Sequence, residues 1–257
     1  TIDGAGYTIT GDGGSNDVGV DARYKDDVTI KNLSVKEFGV GVKVSNGANN
    51  KITSMTIVDN SVDGIYAEYE SELTITDNNI SSNDRNGITF SGGTGIQMCG
   101  GGSAFLVQSN WVASNTGNGI EAFNHSGLCF DHNTANVNGY GFYILGSQSD
   151  IFTSNTAIQN INTGFHFGSG AAPVTFTDNT ASGNGLSDFE GITISNVDLY
   201  SRSVQITPQP SGVTVFTPGT NTSVWLYNDV GNSGSGIAQN VRTDLLVTKP
   251  DGSVWLD

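Results

Sequence analysis

Gly119-Ile120-Glu121-Ala122 and, 22 residues later, Gly141-Phe142-Tyr143-Ile144 are two copies of one element. Between them stand Leu128-Cys129-Phe130, the turn residue Asn133 and, two positions on, Ala135. Working outward, the glycine-led triplet recurs as Gly19-Val20-Asp21-Ala22, Gly41-Val42-Lys43-Val44, Gly64-Ile65-Tyr66-Ala67, Gly87-Ile88-Thr89-Phe90 and Gly164-Phe165-His166-Phe167. The glycine spacings are 22, 23, 23, 32, 22 and 23. The turn asparagines Asn78, Asn110, Asn133, Asn155 and Asn179 follow apolar strands and are spaced 32, 23, 22 and 24. Both series lengthen at the same place, so an insert of about nine residues lies within residues 91–104.

A period near 22 with apolar–polar alternation inside each piece is one turn of a parallel β-solenoid. The expected fold is therefore all-β: a right-handed parallel β-helix of about eight rungs, from Tyr7-Thr8-Ile9 to Ile192-Thr193-Ile194. Val42, Ile65, Ile88, Ile120, Phe142 and Phe165 should stack as one interior column. The asparagines should form a bonded ladder at a corner. After Ser203 the pattern changes to strands Val213-Thr214-Val215, Ser223-Val224-Trp225-Leu226-Tyr227, Leu245-Leu246-Val247 and Ser253-Val254-Trp255-Leu256. Two domains are expected: residues 1–202 as the coil, and residues 203–257 as a C-terminal β cap or the start of a small sandwich. Both ends look abrupt, which suggests a piece of a longer protein or completion by a neighbouring copy.

Lys plus Arg number 10 against 25 Asp plus Glu, a formal charge of −15. Such a surface repels nucleic acid and anionic lipid, and no apolar run is long enough for a membrane helix, so neither nucleic-acid binding nor direct membrane insertion is expected. The oxygen-rich turn Asp12-Gly13-Gly14-Ser15-Asn16-Asp17 has the ligand type for a structural Ca²⁺ but not the spacing of a calcium loop, and a plain turn is the better reading. No other cofactor is indicated, and His125, His132 and His166 occupy different places in the period, unlike a metal set.

Ile2-Asp3-Gly4-Ala5-Gly6-Tyr7-Thr8-Ile9 resembles the opening rung of the pectin-lyase-like β-helix superfamily. Asp77-Asn78-Asn79-Ile80-Ser81-Ser82-Asn83, followed by Asn86-Gly87-Ile88, resembles the repeat of NosD-type proteins, and similar repeats occur in methanogen-type archaeal surface proteins. The resemblance covers about residues 1–200. It implies the fold and leaves function open, because that superfamily includes lyases, hydrolases, epimerases, adhesins and envelope proteins.

No catalytic constellation is evident. Arg23, Arg85, Arg202 and Arg242 join no clear carboxylate cluster on a matching face. Asp131-His132 falls in the asparagine turn, where other rungs carry Asp77, Ser109, Ser154 and Asp178, so turn chemistry accounts for it. The epimerase-type Asp-Pro-His motif is missing. The feature that stands out is the outward column of the triplets: Asp21, Lys43, Tyr66, Thr89, Glu121, Tyr143 and His166. It reads either as an ordinary solvated sheet face or as a stripe that contacts glycan or protein. Cys129 should point outward between Leu128 and Phe130, and Cys99 lies in the insert. A Cys99–Cys129 disulfide pinning the insert is expected. Asn32, Asn79, Asn124 and Asn221 head Asn-x-Ser/Thr sequons; Asn124 and Asn221 fall in loops and are the glycosylation candidates.

Two functions are carried forward. One is a non-catalytic, extracellular or cell-surface structural or adhesive protein, an acidic rod that stacks on copies of itself or contacts surface glycans. The other is a carbohydrate-active enzyme or carbohydrate-binding module using the stripe around Tyr66, Glu121 and Tyr143.

Overall fold

A computed structural model describes residues 1–93, 105–171, 175–191, 193–194, 224–225, 247–248 and 254–255. Residues 1–192 form one compact unit and 193–257 a second. The first is a right-handed coil of three parallel sheets, each eight strands deep. The first sheet runs from Ile2–Asp3 to Thr175–Thr177, and the second from Thr8–Thr10 to Thr180–Ser182. The third consists of Val18–Asp21, Val40–Ser45, Ile65–Glu68, Ile88–Ser91, Ile120–Phe123, Phe142–Leu145, Phe165–Phe167 and Phe189–Glu190. Each rung thus contributes three short strands, one per sheet.

The period is set by three corners per rung at which the backbone turns left-handed. At the first corner Asn32, Ser54, Asp77, Ser109, His132, Ser154 and Asp178 all have φ between 53° and 58°. Asn, Asp, Ser and His tolerate this region better than most residues. His132 is therefore a turn residue, as its rung equivalents suggested.

Burial drives the stacking. Val42, Ile65, Ile88, Ile120, Phe142 and Phe165 are in register from level to level and fully buried. Each such side chain contributes roughly 1.5–3 kcal/mol. Phe142 and Phe165 stack with centroids 4.6 Å apart, and Phe165 and Phe189 at 5.5 Å. The insert leaves the register untouched, since Thr74 pairs with Leu106 and Ile88 with Ile120 across it.

The column glycines answer a need for close approach. A Cβ on Gly64 would lie 2.7 Å from Gly87 O and 2.6 Å from the Ile80 side chain; one on Gly87 would lie 2.7 Å from Gly119 O. Backbone from the next rung occupies the space, so any side chain would force the levels apart.

The expected asparagine ladder is present. Asn133 Nδ2 donates to Asn155 Oδ1 at 2.9 Å and to Val107 O at 2.7 Å, while its Oδ1 accepts from Asn110 N and Nδ2. Asn78, Asn110 and Asn155 repeat the pattern, and Asn179 closes it. A second ladder at the next corner, Asn60, Asn83, Asn115, Asn138, Asn160 and Asn184, ends on Asp188. The sequence reading had missed it.

One boundary is corrected. The last third-sheet strand is Phe189–Glu190, paired in parallel with Phe165–Phe167. Thr193–Ile194 instead pairs antiparallel with Val224–Trp225 inside the second unit. Asp188 stands where earlier rungs have the column glycine, which broke the pattern used to align this rung. In the second unit Val247–Thr248 also pairs antiparallel with Val254–Trp255. The expected strand at 213–215 lies outside the described residues, as do Arg202, Asn221 and Arg242.

Candidate functional site

Strand pairing brings the whole expected stripe together. Asp21 pairs with Lys43, Lys43 with Tyr66, Tyr66 with Thr89, Thr89 with Glu121, Glu121 with Tyr143 and Tyr143 with His166. The structure adds an eighth member, Glu190, opposite His166. At ~4.8 Å per level the stripe is about 34 Å long. Its members face outward because the alternate residues, such as Ile120 and Ala122 around Glu121, fill the core.

The first half holds two ion pairs and an ammonium on a ring. Arg23 forks onto Asp21 through Nε at 2.9 Å, and this hydrogen bond holds the Asp21 carboxyl below its usual range. Lys43 Nζ sits 4.9 Å from the Tyr66 ring centroid. Arg85 Nε donates to Asp63 Oδ1 at 2.8 Å and its Nη2 pairs with Asp63 Oδ2. Asp63 is fully buried, and this bond raises the Arg85 pKa. Arg23 and Arg85, which the sequence places in no clear carboxylate cluster, each pair with a single carboxylate, Asp21 and Asp63. Sequence distance hid the second pair, since Asp63 and Arg85 are 22 residues apart and meet only because one coil turn separates them.

The centre is an amide-held carboxylate. Glu121 Oε2 accepts from Asn118 Nδ2 at 2.7 Å and Asn86 Nδ2 at 3.2 Å. Asn86 also donates to Thr89 Oγ1 at 3.1 Å, and Thr89 is only 4% exposed. Thr89 is therefore a supporting residue rather than a contact surface.

The second half is aromatic. Tyr143 stacks on His166 at 4.9 Å with planes 9° apart, and Tyr140 lies 4.8 Å from Tyr143 and 5.4 Å from His166. Glu190 Oε2 is 2.8 Å from His166 Nδ1 and accepts from Thr163 Oγ1 at 3.1 Å. The hydrogen bond with His166 lowers the Glu190 pKa. Burial raises the pKa of both Tyr66 and Tyr143, so both phenols stay protonated and can donate to a ligand oxygen.

Asp63, Asn86, Asn118, Tyr140 and Thr163 all stand one residue before a column glycine. That position is the sequence signal for the flank of the stripe, and it lies outside the glycine-led triplet. Glu190 escaped notice with the missing eighth glycine.

Chemically, the stripe offers stacking rings, fixed carboxylates and a histidine whose Nδ1 is held by a carboxylate. Two-carboxylate glycoside hydrolysis needs carboxyls ~5–9.5 Å apart. Glu121 and Glu190 are three levels apart, about 14 Å along the coil. They do not form such a pair.

The remaining expected sites lie elsewhere. Asp131 Oδ1 is 2.6 Å from His132 Nδ1 in an exposed turn. In the Asp12–Asp17 turn, Asp12 Oδ1 accepts from Gly14 N at 2.9 Å and Asp17 Oδ1 from Gly39 N at 2.6 Å, so both carboxylates serve backbone amides. Among the described residues no group of three His, Cys, Asp or Glu side chains converges as a metal site. Asn124 is exposed at a left-handed corner with φ 49°. Cys129 occupies the outward face of the first sheet, between Leu106 and Ile151, yet is 2% exposed. Cys99 lies outside the described residues, and the expected disulfide with it.

A coil of three parallel sheets, with glycine-packed corners and one outward stripe of rings and carboxylates, places the molecule among the right-handed parallel β-helix proteins. The chain belongs to the right handed beta helix region family, whose model matches residues 5–135 and 88–222. No curated protein matches it. Among solved structures it is similar to the periplasmic alginate epimerase AlgG, at 12% identity and a TM-score of 0.50, over 69% of this chain and 47% of that one. It also matches the A-module of the Azotobacter vinelandii mannuronan C-5 epimerase AlgE4, at 17% identity, TM-score 0.41, 72% of this chain and 65% of that one. A third match is the DFA-IIIase of Arthrobacter chlorophenolicus, at 12% identity, TM-score 0.34, 71% and 56%. The chain spans about half the length of AlgG, and at this identity the likeness is one of fold.

Proposed function

We propose that this protein is an extracytoplasmic β-helical scaffold that contacts glycan through its outward stripe. The observation that carries the reading is the cluster of Tyr140, Tyr143 and His166 on an open sheet face, next to the fixed carboxylates Glu121 and Glu190. Rings stack on sugar faces while phenol, amide and carboxylate groups bond the hydroxyls. Support for the sugar class also comes from the likeness in fold to AlgG, a periplasmic alginate epimerase. An extracytoplasmic setting agrees with the formal charge of −15 and with the likeness to AlgG, a periplasmic protein. Among the described residues no helix is long and apolar enough to cross a membrane. The NosD-type and archaeal surface resemblance belongs to the same proposal, as does stacking of copies into an envelope layer.

The test is a panel of soluble polysaccharides in affinity electrophoresis. Wild type is retarded by at least one of them, and Tyr140→Ala/Tyr143→Ala is not. Retardation of both proteins alike would remove the stripe from the reading. A carbohydrate-active enzyme is the second reading, and one observation favours it: Glu190 fixes His166 Nδ1 beside the Tyr143 ring, an arrangement suited to proton transfer. Product formation lost in His166→Ala would establish it. The Cys99–Cys129 disulfide and a glycan on Asn124 complete the extracellular picture. Non-reducing mass spectrometry of secreted protein checks both, and two free thiols would refute the first.

A further inference from the structure

The cations of the coil are distributed unevenly. Lys25, Lys31, Lys36, Lys43, Lys51, Arg23 and Arg85 all lie before residue 86, and residues 86–201 contain neither lysine nor arginine. In the first half of the stripe the cations are engaged: Arg23 on Asp21, Arg85 on Asp63 and the Lys43 ammonium over the Tyr66 ring. That last contact shows what the face accommodates, an ammonium on an aromatic ring beside carboxylates. The second half carries the same receiving groups, with rings at Tyr140, Tyr143 and His166 and carboxylates at Glu121 and Glu190, and has no lysine or arginine of its own; the cation beside Glu121 is Arg85, which is bonded to Asp63, and Glu190 is paired with His166.

We propose that the second half of the stripe binds the protonated amino groups of an amino-sugar glycan. Tyr140, Tyr143 and His166 form the stacking platform, and Glu121 and Glu190 the counter-charges. The proposal rests on the glycan reading above and specifies its charge class. A neutral phenol presents a negative ring face to a cation. Asn118 and Asn86 hold the Glu121 carboxylate in a fixed position, so little side-chain entropy is lost when an ammonium docks. Glu190 has a half-exposed side chain whose Oε2 is anchored by His166 and Thr163. A polyuronate faces the opposite situation. Its carboxylates would find no lysine or arginine in levels five to eight, and would approach a molecule of formal charge −15.

The experiment is calorimetric titration of the full chain, near pH 6, with three probes of equal length: a glucosamine oligomer, its N-acetylated form and an oligouronate. The glucosamine oligomer binds, and the N-acetylated form binds roughly tenfold or more weakly, the loss expected for charge-assisted contacts. The oligouronate does not bind, and added salt weakens the glucosamine complex. Glu121→Gln and Glu190→Gln each reduce glucosamine binding roughly tenfold, a larger fold-loss than either causes in N-acetyl binding, and equal fold-losses in the two forms would overturn the charge class. Equal binding of the two amino-sugar forms, or tighter oligouronate binding, would overturn the charge class and leave the glycan stripe standing. Absence of binding to all three would overturn the charge class, and the stripe reading falls separately if the wider polysaccharide panel also fails.

Discussion

Two columns of this coil are built by the same stacking and filled by opposite rules. At the first corner Asn78, Asn110, Asn133, Asn155 and Asn179 repeat one residue through five levels. On the outward stripe no two neighbouring levels carry the same residue, from Asp21 to Glu190. The corner amides are buried, and a buried amide needs partners on both sides. Only another asparagine one level up supplies a carbonyl and an N–H group in the right places, so the column repeats. The stripe meets water or a ligand and carries no such demand. In a solenoid, repetition within a column therefore reports the fold, and departure from it reports what the surface does.

The sharpest way to break this contrast is Asn133→Ala. The substitution removes bonds to Asn110, Asn155 and Val107 O in a site that is fully buried. A loss of about 3–4 kcal/mol is expected in urea unfolding. A loss below about 1 kcal/mol would mean that the ladder is ornamental and that its repetition needs another cause.

A second test uses two buried residues at the third corner that depart from any ladder. His125 packs at 4.4 Å from the Phe105 ring, and neither of its ring nitrogens has a hydrogen-bond partner among the described residues. Burial lowers its pKa to about 4. Asp150 accepts from Leu128 N at 2.9 Å, and burial raises its pKa to about 7. The folded state prefers both groups neutral. His125 supports folding fully above its unfolded value near 6.5, and that support is lost as pH falls through about 4. Asp150 supports folding fully below its unfolded value near 3.8, and that support is lost as pH rises through about 7. Between about 4 and 6.5 the two dependences run in opposite senses and nearly cancel, so together they leave stability almost level with pH. Asp150→Asn should expose the His125 dependence, with stability in thermal melts rising by on the order of 3 kcal/mol as pH goes from about 4 to 6.5, and His125→Phe should expose that of Asp150, with stability falling by a similar amount as pH goes from about 4 to 7. Profiles in both variants that match wild type would show that other groups set the pH dependence.

A smaller gain is expected from repairing a corner that breaks its own rule. Val137 holds φ 54° although it is β-branched, and it is exposed. Val137→Asn should stabilise the coil by about 1 kcal/mol, read as a raised denaturation midpoint. No gain would imply that Val137 makes a contact worth its strain. Smallest of all is the effect of Tyr143→Ala on stability, within about 1 kcal/mol, because a part-buried residue on the outward face leaves the core untouched. The same variant should lose polysaccharide retardation. A large stability loss with binding intact would reverse the assignment of stripe and ladder.

How much of this was legible depended on whether an interaction runs along a column or across columns. The stripe from Asp21 to His166, the core column from Val42 to Phe165 and the first asparagine ladder followed from counting, because strand pairing converts a residue's place in the period into a level and a face. The second ladder was equally countable at Asn60, Asn83, Asn115, Asn138, Asn160 and Asn184, and was missed by following a single asparagine series. The end of the coil was misjudged at Asp188, where the marker glycine is absent.

The repeat by itself determined that the chain coils, which side chains are buried and which residues share the outward face, since all three depend only on period and alternation. Tertiary structure alone decided that Arg85 forks onto Asp63, that Asn86 and Asn118 aim Glu121, and that Tyr140 closes on Tyr143 and His166. Those contacts join different columns around a corner. Their existence depends on how sharply the backbone bends there and which rotamer each side chain takes, and neither is written in the spacing of residues.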